Sequence, residues 1–492
     1  MKAKAKNKNT YFSDVFGVAP SDLRRYGAFN ISLISDLPLF VDPFLLFNSR
    51  KEVYQDLHES IIRYLKFLRD RSVRGSVNRG LLLGWYVFSE VHQNWLGYSE
   101  SGNRGSGLGR DFARALNANL NSIFADFGKE KIARGSHLEK LCLISPGVGH
   151  DKISDFTTNL IKEFLLEYTQ AFGKKHIDKK LRRRVRVKRV RFNYRTESWE
   201  SGEYDLPCFA GDYVLLTPHD ILTKDDVWIN RPDLFNEFDR IAESVSNEQL
   251  RAEVNNYFHQ RLAEEPTREE WNSAVSAALR KFPSLIEYYI KYKEENGDRA
   301  REISEGKVSE SEERYVRQVG ILIELLRQQS GFYGISGNTL PEARARLEFL
   351  KDIIENKGGY RIFYSKGNPV RRESDLHILY RLTWFGTPSD VSREVDDGRG
   401  PADFKISRGR KGKSIVEFKL ATNAQLKRNL RRQGEIYQKA SDAESLLKAI
   451  IFFSEREHKR VFDILKDLNL EGCRDIILID ARADNKPSAS KA

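Results

Sequence analysis

A strand–turn–strand pattern near the C-terminal end constrains the fold of this chain more than any other feature. Asp403–Ile406 and Ser414–Leu420 largely alternate polar and apolar residues, and a polar segment with glycines separates them, which predicts a β-hairpin. Because alternate side chains of a strand share a face, Glu417 and Lys419 should project together, away from their apolar neighbours. The hairpin should also bring Asp403 near Glu417.

Two carboxylates and a lysine at one strand edge suit metal-dependent phosphodiester chemistry. Mg²⁺ prefers hard oxygen ligands, typically one or two carboxylates together with phosphate and water. The metal polarises the phosphodiester and lowers the pKa of its water, and a nearby lysine can stabilise developing charge. Between Asp403 and Arg432 there are ten basic residues but only two acids, so the local charge would attract phosphate. The alternative is an exposed ion pair, since Glu-x-Lys also occurs elsewhere in the chain.

The segment around this hairpin resembles a known family. Gly-Arg-Gly-Pro-Ala-Asp at 398–403, followed by Ile-Val-Glu-Phe-Lys-Leu at 415–420, is similar to the core motif of the PD-(D/E)XK nucleases, the restriction-endonuclease-like superfamily. The chain departs from the literal motif because Ala402 separates Pro401 from Asp403. The resemblance implies a mixed central sheet flanked by helices. It also implies Mg²⁺-dependent phosphodiester hydrolysis, with Mn²⁺ able to replace Mg²⁺.

The resemblance further implies a role for each residue of the motif. Asp403 and Glu417 would be metal ligands, and Phe418 would contribute its backbone carbonyl. Lys419 would position the attacking water and stabilise negative charge.

Two predicted helices carry further family-like residues. On the helix predicted over 371–382, Glu373 shares a face with apolar residues and would be the third metal ligand, with Asp375 as its substitute. Its alternative role is to complement the helix dipole. On the helix after the hairpin, Gln433 and Tyr437 resemble the Q-x-x-x-Y of exonucleases and helicase-linked nucleases, and would orient active-site groups or DNA. The alternative for both is packing in the core.

The charge balance favours a polyanionic partner, nucleic acid before a membrane surface. Lys and Arg number 82 against 70 Asp and Glu, which gives a net charge of +12. No apolar run approaches the roughly 18 residues of a membrane-spanning helix. Three widely separated cysteines argue against a disulfide framework and a cysteine zinc site, and they favour a cytoplasmic protein. The scattered histidines, including His377, are interpreted as structural.

A second basic feature is the partial alternation of arginine and valine within residues 182–191. It predicts a strand with one basic face, which could follow a phosphate backbone. The alternative is a solvated edge strand whose charges prevent sheet-to-sheet aggregation. The residues expected to bind nucleic acid, DNA in preference, are Arg182, Arg184, Arg186, Lys188, Arg399, Arg408, Arg410, Lys411 and Arg428.

We therefore expect an α/β multidomain protein. The predicted regions are a disordered basic tail at 1–10, a mainly helical α+β region at 11–338, a nuclease domain at 339–482 and a disordered tail at 483–492. The helical region should contain a basic strand near 182–194, and a break near 173–212 could divide it into two subdomains. A long helix is expected over 150–172, where Asp151 and Asp155 would complement the helix dipole.

The function expected from the sequence is metal-dependent hydrolysis of nucleic acid. The whole chain is also similar to uncharacterised bacterial proteins of restriction or phage-defence type. That likeness implies an antiviral role, as a homo-oligomer or with a partner protein from the same defence system. The alternative is a nucleic-acid-binding or sensor protein whose nuclease fold has lost catalysis. A third interpretation is a helical interaction scaffold with a structural α/β cap.

Overall fold

The protein divides into two compact units, which are described separately. The first comprises Met1–Ser99 and Asn103–Ser309, and the second comprises Glu100–Gly102 and Glu310–Ala492. The structure is a computed structural model that describes residues 11–33, 36–73, 77–97, 108–123, 127–144, 148–224, 226–263, 265–313, 316, 339–365, 368–369, 376–377, 379–380, 383–384, 390–396, 401–407, 413–437 and 445–486. The predicted tail at 1–10 lies outside these residues, as does the end of the other tail.

The first unit is built mainly of helices. Several of them begin at residues whose side chains favour a helix start: Asn230, Asn247 and Thr267 each accept a hydrogen bond from a backbone N–H of the first turn. The helices of this unit are Phe12–Phe16, Pro20–Tyr26, Pro43–Phe47, Glu52–Val73, Arg79–Trp85, Arg110–Ile123, Lys140–Ile144, His150–Leu160, Lys162–His176, Arg231–Asn236, Phe238–Glu243, Glu248–His259, Arg268–Lys281, Leu285–Glu295 and Gly297–Ser311.

The single helix expected over 150–172 is wrong, because the chain forms two helices that meet at Ile161. Two side chains near the break donate to carbonyls four residues back. Thr157 Oγ1 donates to the Ile153 carbonyl at 2.7 Å, and Asn159 Nδ2 donates to the Asp155 carbonyl at 2.9 Å. Such bonds compete with the main-chain ladder and favour a bend, which the apolar periodicity of the sequence does not reveal.

A long antiparallel hairpin is the main β structure of the first unit. The strands of this unit are β1 (Phe40–Val41), β2 (Arg182–Asn193), β3 (Ser198–Phe209), β4 (Asp212–Tyr213) and β5 (Leu222–Thr223). Strands β2 and β3 form the hairpin, β4 pairs with β3, and β1 and β5 form a separate short pair. The register of β2 against β3 shifts between Val187 and Arg191, where Arg189 has a φ of 54°. This is a β-bulge. The apolar face of the hairpin, including Leu206, packs against Leu166.

The second unit is organised around a five-stranded mixed sheet. Its strands are β8 (Asp390–Asp396), β9 (Pro401–Ser407), β10 (Lys413–Leu420), β11 (Ser445–Phe452) and β12 (Ile476–Asp480), with a separate small pair of β6 (Tyr364–Ser365) and β7 (Asn368–Pro369). The order is β12-β11-β10-β9-β8, antiparallel from β8 to β10 and parallel from β10 to β12. Strand β8 was not predicted, because Val391 and Val395 are its only apolar residues and it lies at the edge of the sheet.

Helices cover both faces of this sheet. The helices given with their bounds are Thr339–Asn356, Leu426–Tyr437 and Glu455–Asp467. On one face, the ring of Tyr380 lies 5.1 Å from that of Phe418. On the other face, Ile450 belongs to a buried cluster with Leu426 and Val461. The unit is therefore of mixed α/β class, as expected.

Within the described residues, no helix has the length and apolarity needed to cross a membrane.

Candidate active site

The hairpin that the sequence predicts is present and lies inside the five-stranded sheet. Strands β9 and β10 pair antiparallel, and the last pair of the ladder joins Phe404 to Val416. Asp403 follows this last pair in the direction of Glu417, and its side chain, not its backbone, continues the contact with β10. The turn of the hairpin, residues 408–412, lies outside the described residues.

Asp403 occupies the place where the ladder between these strands ends. Its Oδ2 accepts a hydrogen bond of 2.6 Å from the backbone N–H of Phe418. The Nζ of Lys419 lies 3.5 Å from the same oxygen and donates to the Phe418 carbonyl at 2.8 Å. A carboxylate oxygen and a carbonyl oxygen thus converge on one cation. The structure brings Asp403 and Lys419 together, as the sequence predicts.

The surroundings of Asp403 hold its carboxyl group in the ionised form. Burial alone would raise the pKa, but His377 lowers it, followed by Lys419 and the Phe418 N–H, so that the pKa lies below its ordinary value. The side chain is 15% exposed, so these charges act in a partly desolvated place. A negative charge is therefore maintained beside the Lys419 ammonium and the imidazole of His377.

Glu417 is also buried and lies beside a second lysine. It is 9% exposed and stands in parallel register with Lys448, which is 7% exposed. Burial lowers the pKa of Lys448 to about 8, although the charges of Glu417 and Cys473 oppose that shift. Lys419 adds to the lowering. Lys448 lies on a strand that carries no motif, so no pattern in the sequence marks it as a site residue.

His377, for which the sequence predicts only a structural role, also lies beside Asp403. Its Nε2 lies 3.5 Å from Oδ2 of Asp403, and the imidazole is buried. The ring also packs at 5.6 Å from each of the rings of Phe404 and Phe418. His377 follows the buried Leu376 and precedes the buried Tyr380 by three residues, so its place on an inward helix face was the available signal.

Several predicted site residues lie outside the described part of the chain. These are Glu373, its substitute Asp375, Arg399, Arg408, Arg410 and Lys411. Gln433 and Tyr437 do lie on a helix after the hairpin, Leu426–Tyr437. Arg428 is exposed on the first turns of that helix.

The basic strand of the first unit is partly neutralised by its neighbour. Arg182 forms an ion pair with Asp205, and Arg184 forms one with Glu203 at 2.6 Å. These acids lie on the neighbouring strand β3, each two residues away from the direct cross-strand partner of its arginine. Arg186 and Lys188 are exposed on the same strand. The face therefore carries less free charge than the arginine count of β2 implies.

The oxygen donors that meet near Lys419 are the Asp403 carboxylate and the Phe418 carbonyl. Among the described residues, no group of three or more His, Cys, Asp and Glu side chains is placed to hold a metal ion. Mg²⁺ does not need such a group, since it usually keeps several waters and takes one or two carboxylates. The convergence of the Asp403 carboxylate and the Phe418 carbonyl on the Lys419 ammonium shows that oxygen donors meet there.

Comparisons with known proteins do not indicate an activity for this chain. Residues 17–230 match a family model described as a domain of unknown function (DUF8370). Residues 339–455 match another domain of unknown function (DUF8371), and this range includes His377, Asp403, Glu417 and Lys419. No curated protein and no solved structure matches the chain.

Proposed function

We propose that the second unit is a restriction-endonuclease-like, metal-dependent nuclease that hydrolyses phosphodiester bonds. The observation that carries this proposal is the approach of Asp403 Oδ2 and Lys419 Nζ to 3.5 Å, with Glu417 two residues before Lys419 on strand β10. The mixed sheet with helices on both faces gives further support, because it is the arrangement that the motif resemblance implies.

In this proposal Asp403 and Glu417 hold Mg²⁺, or Mn²⁺ in its place, which supplies a polarising charge on the phosphodiester and a water of lowered pKa. The Phe418 N–H fixes the orientation of the Asp403 carboxylate. Lys419, anchored at the Phe418 carbonyl, can donate to a phosphate oxygen as water attacks in line. Glu373, or Asp375, is the proposed third ligand, and Gln433 and Tyr437 orient the site.

The proposed substrate is nucleic acid, with DNA preferred. Phosphate is attracted by the net charge of +12 and by the cations near the hairpin. The free cysteines Cys142, Cys208 and Cys473 suit the reducing cytoplasm. We place the nuclease in a restriction or phage-defence setting, acting as a homo-oligomer or with a partner protein of that system.

A second candidate function is a nucleic-acid sensor that has lost catalysis. Lys448 favours it, since a buried ammonium next to Glu417 neutralises a proposed metal ligand. The two candidates share the basic surface and differ in cleavage.

The test is cleavage of supercoiled plasmid and of single- and double-stranded oligonucleotides by the full chain, with Mg²⁺, Mn²⁺ or EDTA. We expect cleavage with either cation and none with EDTA. Lys419→Ala should abolish it, while Lys466→Ala, which removes an exposed lysine from helix Glu455–Asp467, should not. Wild-type protein inert on DNA and RNA with both cations would support the sensor instead.

A further inference from the structure

The first unit contains a cavity of about 500 Å³ whose lining is rich in aromatic and acidic residues, although the chain as a whole is basic. Helices Glu52–Val73 and Lys162–His176 form two of its walls, and the β2–β3 hairpin forms the third. The volume is in the range of small-molecule sites, which are mostly apolar with a few polar groups. We call this cavity the aromatic pocket. Its aromatic lining residues are Tyr64, Phe164, Phe192, Tyr194 and Trp199.

The deep part of the aromatic pocket is a cluster of rings in edge-to-face contact. Tyr64 and Phe192 are 1% and 9% exposed, and their ring centroids are 4.9 Å apart at an angle of 79°. The Trp199 ring lies 5.3 Å from that of Phe192. The faces of such rings attract cations. Two of them already contact an arginine of the chain, since Arg63 lies 4.2 Å from the Tyr194 centroid and Arg189 lies 5.5 Å from a Trp199 ring centroid.

The rim of the aromatic pocket is acidic. Asp56, Glu163 and Glu167, here called the rim carboxylates, line it on the two helices, and Asp56 and Glu167 are exposed. Arg191 is the one cation among the described lining residues. It is engaged by Glu200 at 2.9 Å and by Glu163 at 3.5 Å. The lining residues therefore carry three carboxylates against one guanidinium, although the chain as a whole carries +12.

The pKa of Glu163 supports a negative field at the rim. Burial raises it, Arg191 opposes that shift, and the charges of Glu167 and Glu200 raise it further. A ligand that brings positive charge would relieve this repulsion, and a phosphate or carboxylate ligand would increase it.

We propose that the aromatic pocket binds a small organic ammonium ion, a protonated amine or a quaternary ammonium with an apolar or aromatic body. The body contacts the rings of Phe192 and Trp199, and the charge lies among the rim carboxylates. This site lies wholly within the first unit, and the proposal does not depend on nuclease activity.

The test is calorimetric titration of the full chain with benzyltrimethylammonium, benzyl alcohol and benzoate, which share a ring and differ in charge. We expect the ammonium to bind about tenfold more tightly than the alcohol, and benzoate to give no measurable binding. Asp56→Asn and Glu167→Gln should each weaken ammonium binding about threefold or more, because each removes one exposed rim charge. Glu269→Gln, an exposed acid of the same unit outside the pocket, is the matched control and should have no effect.

Three results would overturn the proposal. The first is a dissociation constant for the ammonium weaker than about 10 mM. The second is benzoate binding as tight as that of the ammonium. The third is an equal loss of affinity in Glu269→Gln, which would mean that net charge and not the pocket attracts the cation.

Discussion

Asp403 in the second unit and Asp155 in the first are both largely buried carboxyl groups, but their surroundings act in opposite directions. His377 and Lys419 hold the pKa of Asp403 below its ordinary value, against the effect of burial. Burial raises the pKa of Asp155 to about 7, and the acids Glu90 and Asp151 add to the shift.

This difference teaches that neighbouring charges, and not depth, decide whether a buried carboxyl group is ready to meet a cation. Asp403 is ionised and accompanied by a lysine at neutral pH, which suits phosphodiester chemistry. Asp155 is close to half protonated there, and its acidic neighbours do not form a metal-binding group in the described residues. Asp151 lies in the first turn of helix His150–Leu160, where an acid complements the helix dipole, but Asp155 lies one turn further on.

The largest effect should come from removing charge at the ionised site. Glu417→Gln keeps the shape of the side chain, so the fold should survive, but Mg²⁺-dependent cleavage should fall about 10²–10⁴-fold or more. Nucleic-acid affinity without metal should hold or rise, because the variant removes a negative charge that faces phosphate. Gel-based cleavage and fluorescence anisotropy measure the two quantities. A reduction of cleavage below about tenfold would contradict the ligand role.

His377 offers a way to weaken the contrast between the two carboxyl groups. His377→Gln removes the group that lowers the pKa of Asp403 most, so this pKa should rise and the acid limb of the cleavage profile should move to higher pH. We also expect about a tenfold loss of rate at neutral pH. His377→Phe keeps an aromatic ring to pack on Phe404 and Phe418 but removes the nitrogen that faces Asp403. Cleavage at the wild-type rate in His377→Phe would mean that the His377 ring only fills space.

Asp155→Asn tests the raised pKa of Asp155 through the free energy of unfolding. The folded pKa of Asp155 is about 7 against an ordinary value of 3.8, so the folded state binds more protons between these values and loses stability as pH rises through this window. At pH 8 the variant should be more stable than wild type by on the order of 1–3 kcal/mol, and below pH 4 the two should agree. Thermal unfolding across this pH range measures the difference. An equal effect at all pH values would show that Asp155 does not titrate as described.

Much of the second unit followed from the sequence, because its strands and helices have a clear apolar periodicity. The hairpin and the pairing of Asp403 with Lys419 needed only the alternation of a strand and a short turn. His377 and Lys448 could not be found in this way, since they approach Asp403 and Glu417 from separate elements and only the tertiary fold brings them there.

Less of the first unit could be predicted from the sequence, because its features also depend on contacts between separate elements. The bend at Ile161 depends on side chains that donate to backbone carbonyls. The neutralisation of Arg182 and Arg184 depends on which strand pairs with β2. The aromatic pocket is assembled from residues more than a hundred positions apart, and no local pattern marks it.

The smallest expected effect concerns the basic strand, where neighbours again decide how much charge is free. Arg186→Ala with Lys188→Ala should lower the slope of log affinity against log salt by about 0.9 for each phosphate of duplex DNA that the variant no longer neutralises. Arg184→Ala should change the slope less, because Glu203 already pairs with this side chain at 2.6 Å. Anisotropy titrations at several salt concentrations measure the slopes. Unchanged slopes in both variants would show that β2 is a solvated strand without a nucleic-acid role.

The most direct test of the central claim is Mn²⁺ binding measured by electron paramagnetic resonance on the full chain. We predict that wild type binds Mn²⁺, that Asp403→Asn and Glu417→Gln each remove this binding, and that Lys419→Ala keeps it while abolishing cleavage. Asp155→Asn should leave it unchanged, since that carboxyl group lies among acids in the other unit. Mn²⁺ binding that persists in both Asp403→Asn and Glu417→Gln, or that disappears in Asp155→Asn, would contradict a metal site at the hairpin.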